Sequence, residues 1–265
     1  MCDNVNTTQN AQFGSHDNSF VAQQINNYGL TVPEATRMAF QLFREYYPQL
    51  QKEALETVQH LLEDHLKAIP VENVVTPKAN IVVPTLQNAS LTEEPDLLEM
   101  YATILGNSMD KLTKEGVHPG FVEIIKQISS DEAKILQRMR FHSTIPIVTL
   151  RFENEKGSGI SVVKNFSDIG ERTNCVAPHS IGLYFDNLQR LGLISIENMA
   201  SLTEKKLYDP LRCNEYIVNE MKKLEQYSNL DRVDLEEGVV ILSDYGKAFC
   251  KVCCKEVNAV TVMIK

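Results

Sequence analysis

Apolar residues recur at three- and four-residue steps over residues 35–66, which is the pattern of one face of a long helix. Thr31 and Glu34 precede this stripe with the spacing of a capping box, so the helix is predicted to begin there. Pro48 interrupts the stripe, and a proline inside a helix removes a backbone donor and crowds the preceding turn. The sequence therefore predicts a kink or a break near Tyr47.

Three further segments complete a front half that is predicted to be all α. Residues 96–109 and 119–128 each carry an apolar helical stripe. Pro77 and Pro84 delimit an irregular or short helical piece over residues 80–90.

The pattern changes after residue 128, where β-rich runs appear between helices. Ser129 and Glu132 form a second capping box, which predicts a helix over residues 130–141. Residues 145–152 and 160–163 are rich in β-branched side chains and flank a glycine-containing turn. These two runs predict a β-hairpin.

A helix is predicted over residues 178–190, with one apolar face. That face consists of Ile181, Phe185, Leu188 and Leu191. Gly192 ends the helix, and a strand is predicted from Leu193. A second strand over residues 239–242 leads to Ser243, which caps a closing helix.

This order of helix, strand, returning strand and closing helix resembles a winged helix. The wing would be long, because residues 197–238 separate the two strands and contain a helical stretch at 214–227. The predicted fold class is mainly α, with a helical N-terminal domain over residues 29–128 and an elaborated α+β winged-helix-like domain over residues 129–265.

Residues 1–28 form a separate leader with ten Asn or Gln and no Lys or Arg. Such a segment cannot build a core of its own. Residues 11–20 loosely resemble the Gln-φ-Gly-x-x-Asn-x-φ pattern of amyloid signalling motifs, with one residue too many before Asn18. The segment is either a disordered leader or a strand that pairs with a second copy. The candidate assembly residues are Phe13, Phe20, Val21 and Ile25.

One family resemblance runs through residues 79–136. Its pieces are the acidic helix start at Thr92, the small-residue turn from Gly106 to Met109, and the segment that opens with His118-Pro119. This stretch resembles the Abi-alpha (abortive infection alpha) family of bacterial phage-defence proteins. The matching residues are structural and not catalytic, so the resemblance implies a setting in phage defence without a chemical mechanism.

The net charge of −9 lies almost entirely in the front half. Residues 1–128 carry 8 Lys and Arg against 16 Asp and Glu, whereas residues 129–265 carry 18 against 19. Neither half is basic, and nonspecific DNA binding requires Lys and Arg that neutralise phosphates. The candidate contacts for DNA or a partner are His179, Ser180, Asn187 and Arg190. Only Arg190 is cationic at neutral pH, so the sequence favours a protein partner or self-association over weak DNA binding.

The six cysteines lie in a chain without a secretion signal or a run of the roughly 20 apolar residues that a membrane span needs. We therefore expect reduced thiols and a cytoplasmic protein. Cys250, Cys253 and Cys254 share one helical face and lack an identifiable fourth ligand, which favours small buried hydrophobes over a zinc site. His118 precedes Pro119 and is predicted to be a helix boundary residue.

No nucleophile and base pair, phosphate loop or metal-binding helix is discernible in the sequence. The predicted function is therefore that of a non-enzymatic, cytoplasmic phage-defence protein that acts through protein interactions, without cofactor or metal. Two alternatives stay open. A winged-helix DNA-binding regulator would show a basic surface around Arg190, and an assembly adaptor would signal through its N-terminal segment.

Overall fold

The computed structural model describes residues 52–153, 159–226 and 232–255, together with scattered positions between 31 and 45. The leader with its four candidate assembly residues and the kink predicted near Tyr47 lie outside the described residues. At Thr31 the backbone N–H donates to the carboxylate of Glu34 at 2.7 Å, as the capping box predicts.

Four helices form the described part of the front half: α1 (Lys52–Lys67), α2 (Ala79–Ala89), α3 (Pro95–Ser108) and α4 (Gly120–Ile125). Of the two alternatives predicted for residues 80–90, an irregular piece or a short helix, the structure has the short helix α2, with Pro84 inside it. Pro84 cannot donate to the carbonyl of Asn80, a residue that is exposed in the first turn. Burial of Ile81 and Leu86 favours the continuous helix over a break.

Helix α3 is the centre of the front half, because nearly all of its side chains are buried. It packs against α1 and α2 on one side and against helices of the back half on the other. Gly106 lets α1 approach closely, since a Cβ at this position would lie 2.3 Å from the ring of His65.

The back half places helices around an antiparallel sheet. The elements are α5 (Ser130–Met139), β1 (Thr144–Glu153), β2 (Gly159–Phe166), α6 (Ile169–Arg172), α7 (Ile181–Arg190), β3 (Ile194–Glu197), α8 (Asp209–Arg212), α9 (Glu215–Glu225), β4 (Arg232–Leu242) and α10 (Asp244–Cys253). The strand order is β2-β1-β4-β3, and every neighbouring pair is antiparallel. The predicted hairpin, β1 with β2, is confirmed.

The predicted end of α7 and the start of α10 are confirmed, whereas α7 begins at Ile181 because Pro178–Ser180 form a 3₁₀-helix. Gly192 has a φ of +75°, the left-handed conformation that ends a helix most easily at glycine. Ser243 accepts a hydrogen bond from the backbone N–H of Gly246 at 2.8 Å and so caps α10.

The segment between β3 and β4, predicted as a long wing with a helical stretch at 214–227, contains that helix as α9 and packs on the sheet. Its anchor is Tyr208, which is fully buried. The Tyr208 hydroxyl donates to the carbonyl of Gly238 at 3.0 Å and accepts from the backbone N–H of Leu202 at 2.9 Å. Helices α8 and α9 therefore form a layer on β1 and β4.

The two halves share one hydrophobic core. Helix α10 packs on α3, and Asn107 Nδ2 donates to the carbonyl of Val252 at 3.0 Å. The structure is mainly α with one four-stranded antiparallel sheet. The domain boundary between residues 128 and 129 stays a prediction.

Candidate functional site

The buried carboxylate of Asp131 holds the start of α7 and the loop before it. Asp131 Oδ1 accepts from the backbone N–H of Val176 at 3.0 Å, and Oδ2 accepts from the backbone N–H of Ala177 at 3.2 Å. The Tyr184 hydroxyl donates to Oδ2 at 2.8 Å, and Lys134 Nζ lies 3.2 Å from Oδ1. Four donors therefore surround one carboxylate in the first turn of α5.

These contacts set the charge state of the anchor. Burial opposes ionisation of Asp131, yet the hydrogen bonds from Val176, Tyr184, Ala177 and Lys134 together hold the pKa of its carboxyl below the ordinary value. Burial and the hydrogen bond to Asp131 raise the pKa of Tyr184 to about 12. At neutral pH the pair is therefore a carboxylate with a neutral phenol that donates to it.

The neighbouring capping box also contributes to this junction. Glu132 Oε2 accepts from the backbone N–H of Ser129 at 2.6 Å, which completes the predicted capping box of α5. Glu132 Oε1 accepts from Asn187 Nδ2 at 2.7 Å. One side chain therefore caps its own helix and positions α7.

Three of the four residues predicted to contact DNA or a partner make contacts within the chain. Asn187 also donates to the carbonyl of Gln127 at 3.0 Å. Arg190 Nη2 donates to Asn187 Oδ1 at 2.7 Å and to Gln127 Oε1 at 3.3 Å. His179 stacks on Tyr216 of α9 with ring centroids 4.3 Å apart.

Ser180, the fourth predicted contact residue, lies half-buried at the start of α7, and its side chain makes no capping hydrogen bond there. The four predicted residues therefore do not converge on one outward surface: Asn187 and Arg190 face the turn after α4, whereas His179 faces α9.

Two apolar side chains on the segments that Asp131 holds are exposed instead. Val176, whose backbone is held by Asp131, is 88% exposed, and Leu183, adjacent to Tyr184, is 68% exposed. Asp186 is exposed on the same helix. We call Val176 and Leu183 the apolar pair. The sequence analysis did not predict this pair. The helical periodicity could have indicated Leu183, because this residue does not fall on the apolar face of α7.

Comparison with known proteins places the chain in a family. A family model described as "Abortive infection alpha" matches residues 50–253, which include both halves of the described fold. The chain belongs to the abortive infection alpha family. Membership indicates a role in abortive infection as a defence against phage.

Other comparisons add little to this assignment. Among solved structures, an uncharacterized protein from the hydrocarbon-degrading marine bacterium Alcanivorax borkumensis SK2 is similar at 16% identity with a TM-score of 0.36. That similarity covers 54% of this chain and 94% of the other, and it is too low to support an argument. Among curated proteins, none matches the chain.

Three cysteines of this abortive infection alpha protein are part of its core, whereas Cys213 is exposed. Cys250, Cys253 and Cys254 are buried at the end of α10, and the Cys250 thiol lies 3.7 Å from the carbonyl of Leu136. Arg140 Nη1 donates to the carbonyls of Cys250 and Cys254, where a cation complements the carboxyl end of a helix. Burial raises the pKa of the Cys253 thiol well above the ordinary range, which disfavours a thiolate.

His118 has a structural role in this family member. His118 Nδ1 accepts from the backbone N–H of Gly120 at 3.0 Å, so it is the predicted helix boundary residue. Within residues 52–153, 159–226 and 232–255, no group of three or more His, Cys, Asp or Glu side chains is placed to hold a metal ion. None of the helices described by the structure has the length and apolar character needed to cross a membrane.

Proposed function

We propose that this abortive infection alpha protein acts in the cytoplasm by docking a protein partner on the apolar pair, without a chemical step of its own. The observation that carries the proposal is the exposure of Val176 and Leu183 on a frame that Asp131 fixes from inside. A surface that is ordered before binding loses little conformational entropy on association.

The binding free energy that burial of the apolar pair can supply is substantial but limited. Complete burial of a Val or Leu side chain contributes about 1.5–3 kcal/mol, so the apolar pair supplies about 3–6 kcal/mol. Each 1.4 kcal/mol changes the dissociation constant about tenfold. The pair can therefore serve as the centre of an interface, with polar contacts around it.

The arrangement of the back half supports the interpretation as an elaborated winged helix used for protein contact. Helix α7 leads directly into β3, β4 returns beside β3, and Ser243 caps the closing helix. Asn187 and Arg190, the polar residues that would read DNA bases, donate hydrogen bonds to Gln127. Asp186 adds a negative charge on the exposed side of the helix. These contacts favour a protein partner over DNA.

The test is phage protection by cells that express the parent or the variants Val176→Asp and Leu183→Asp. Both side chains are exposed, so the variants should fold as the parent does, and a charge in an apolar interface should weaken partner binding at least tenfold. Leu91→Asp is the matched control, because Leu91 is 74% exposed in the turn between α2 and α3. Full protection by Leu183→Asp and Val176→Asp would refute the proposed docking site.

A further inference from the structure

An open groove lies between the front half and the α6 region, and neither Val176 nor Leu183 lines it. It has a volume of about 720 Å³, within the range of small-molecule sites of about 300–1,000 Å³. Its walls come from α3, α5, the α6 segment and the end of α10. Four basic and three acidic residues line it, so its lining has an excess of one positive charge: Lys134, Arg138, Arg172 and Lys255 against Asp96, Glu99 and Glu171.

The acidic residues of the groove are already engaged by donors of the chain. Lys255 Nζ lies 2.7 Å from Glu99 Oε1. Asn214 Nδ2 lies 3.1 Å from both carboxylate oxygens of Glu171. Asp96 accepts from the Ser130 hydroxyl and lies 3.9 Å from Lys134 Nζ.

Arg138 and Arg172 are the groove cations with the least neutralisation. Arg138 is half-buried, and its guanidinium group has neither an ion pair nor a hydrogen bond in the part of the chain that the structure describes. Arg172 Nη1 lies 3.7 Å from Asp168 Oδ1, which is beyond hydrogen-bond distance, and that buried oxygen has no hydrogen-bond partner among the described residues.

The pKa of the neighbouring His142 reflects its burial and the positive charges of Arg138 and Arg172. Burial, and after it the charges of Arg138 and Arg172, lower the pKa of His142. A lowered pKa favours the neutral imidazole at pH 7, so His142 adds no further positive charge beside Arg138 and Arg172. An anion placed in the groove would be attracted by the two guanidinium groups.

Apolar side chains line the same groove as these cations. Phe141 lines the groove and is 40% exposed, an unusual position for a large aromatic side chain. Met100 and Ala133 extend the apolar wall. An aromatic ring can stack on such a surface while a charged group reaches the guanidinium groups.

We infer that this groove binds a phosphate-bearing small molecule of mononucleotide size, with its phosphate on Arg138 and Arg172 and its ring against Phe141. Guanidinium groups match phosphate oxygens in paired hydrogen bonds, which favours phosphate recognition by arginine. A triphosphate fits less well, because its additional charges would lie near Asp96, Glu99 and Glu171.

The test is isothermal titration of the full chain with four nucleoside 5′-monophosphates, with adenosine, with ATP and with inorganic phosphate. At least one monophosphate should bind tighter than inorganic phosphate, ATP and the nucleoside. Arg138→Gln and Arg172→Gln should each weaken that binding about tenfold or more, since each removes a charge-assisted contact. Phe141→Leu should weaken the monophosphate and leave inorganic phosphate unchanged.

The control is Lys247→Gln, which removes one exposed positive charge on α10 outside the groove and should leave the affinity unchanged. Thermal melting of each variant separates loss of binding from loss of fold. Arg172, with its side chain 54% exposed, provides a second variant if Arg138→Gln fails to fold. Absence of monophosphate binding at 1 mM ligand (about −4 kcal/mol) would overturn the inference, as would binding unaffected by both arginine variants or binding of inorganic phosphate as tight as any nucleotide.

Discussion

Substitutions at Asp131 and Tyr184 are predicted to lower the free energy of unfolding by graded amounts. Replacing Asp131 by Ala removes the acceptor for Val176, Ala177, Tyr184 and Lys134 together. Asp131→Asn keeps the shape of the side chain, but it replaces one hydrogen-bond-accepting oxygen by an amide N–H₂ group, which donates. Tyr184 can reverse its hydroxyl and accept from that amide, whereas a backbone N–H cannot, so one backbone donor is left unsatisfied.

The magnitudes follow from hydrogen-bond energetics. An unsatisfied buried donor costs about 1–3 kcal/mol, and a hydrogen bond to a charged group contributes about 1.5–3 kcal/mol. Water can reach the loop at exposed Val176, which reduces the cost. We expect the free energy of unfolding to fall by about 2–4 kcal/mol for Asp131→Ala, about 1–3 kcal/mol for Asp131→Asn and about 1 kcal/mol for Tyr184→Phe.

The assay is urea unfolding followed by circular dichroism at pH 7 and at lower pH. Because the folded-state pKa of Asp131 is lowered, its stabilisation is present above the unfolded pKa of about 3.9 and is lost as pH falls through the folded pKa. The difference between the parent and Asp131→Asn should therefore shrink below about pH 4.

Asp186→Asn is the control, because Asp186 is exposed on α7 and the change should stay within about 0.5 kcal/mol. An unfolding free energy for Asp131→Asn equal to that of the parent at pH 7 would refute the anchor, as would Tyr184→Phe being more damaging than Asp131→Ala.

Four further predictions follow from the fold and the sequence. Leu188→Ala should lower the free energy of unfolding by about 2–5 kcal/mol in urea titration, because Leu188 is fully buried; an unchanged curve would contradict its packing. Elemental analysis should find no stoichiometric zinc, since the α10 thiols pack in the core; one zinc per chain that is lost in Cys253→Ser would count against this. Fluorescence anisotropy should show weak or no binding to mixed-sequence duplex DNA at physiological salt, whereas sub-micromolar binding with a steep salt dependence would favour a DNA-binding regulator. If residues 1–28 drive assembly, a chain starting at Gly29 and the variant Phe20→Lys should both have a lower mass in analytical ultracentrifugation; retention of the parent mass and of phage defence by both would exclude that role.

Local signals predicted most element boundaries. The capping residues Ser129 and Glu132 start α5, and Gly192 ends α7, as their spacing indicates. Each of these signals acts between residues close in sequence, so the local chain is enough to specify it. Pro84 left the prediction for α2 open between an irregular piece and a short helix, because a proline removes one backbone hydrogen bond wherever it lies in a helix, and the tertiary packing decides whether the helix continues.

Contacts distant in sequence decided the candidate sites. Asp131 looks like an ordinary first-turn acid, and its role depends on Val176, 45 residues away, and on Tyr184, 53 residues away. Likewise, no spacing indicates that Arg138 would lie half-buried without a counterion among the described residues while its neighbour Lys134 is paired.

The sequence by itself determined the helical front half, the hairpin, the caps and the family, because apolar periodicity and capping chemistry are local properties. Only the tertiary structure decided that the segment after β3 covers the sheet, that Asn187 and Arg190 contact Gln127, and that the apolar pair is exposed. The physical reason is that a side chain's partners are fixed by how distant elements pack, and one periodic pattern is compatible with many such packings.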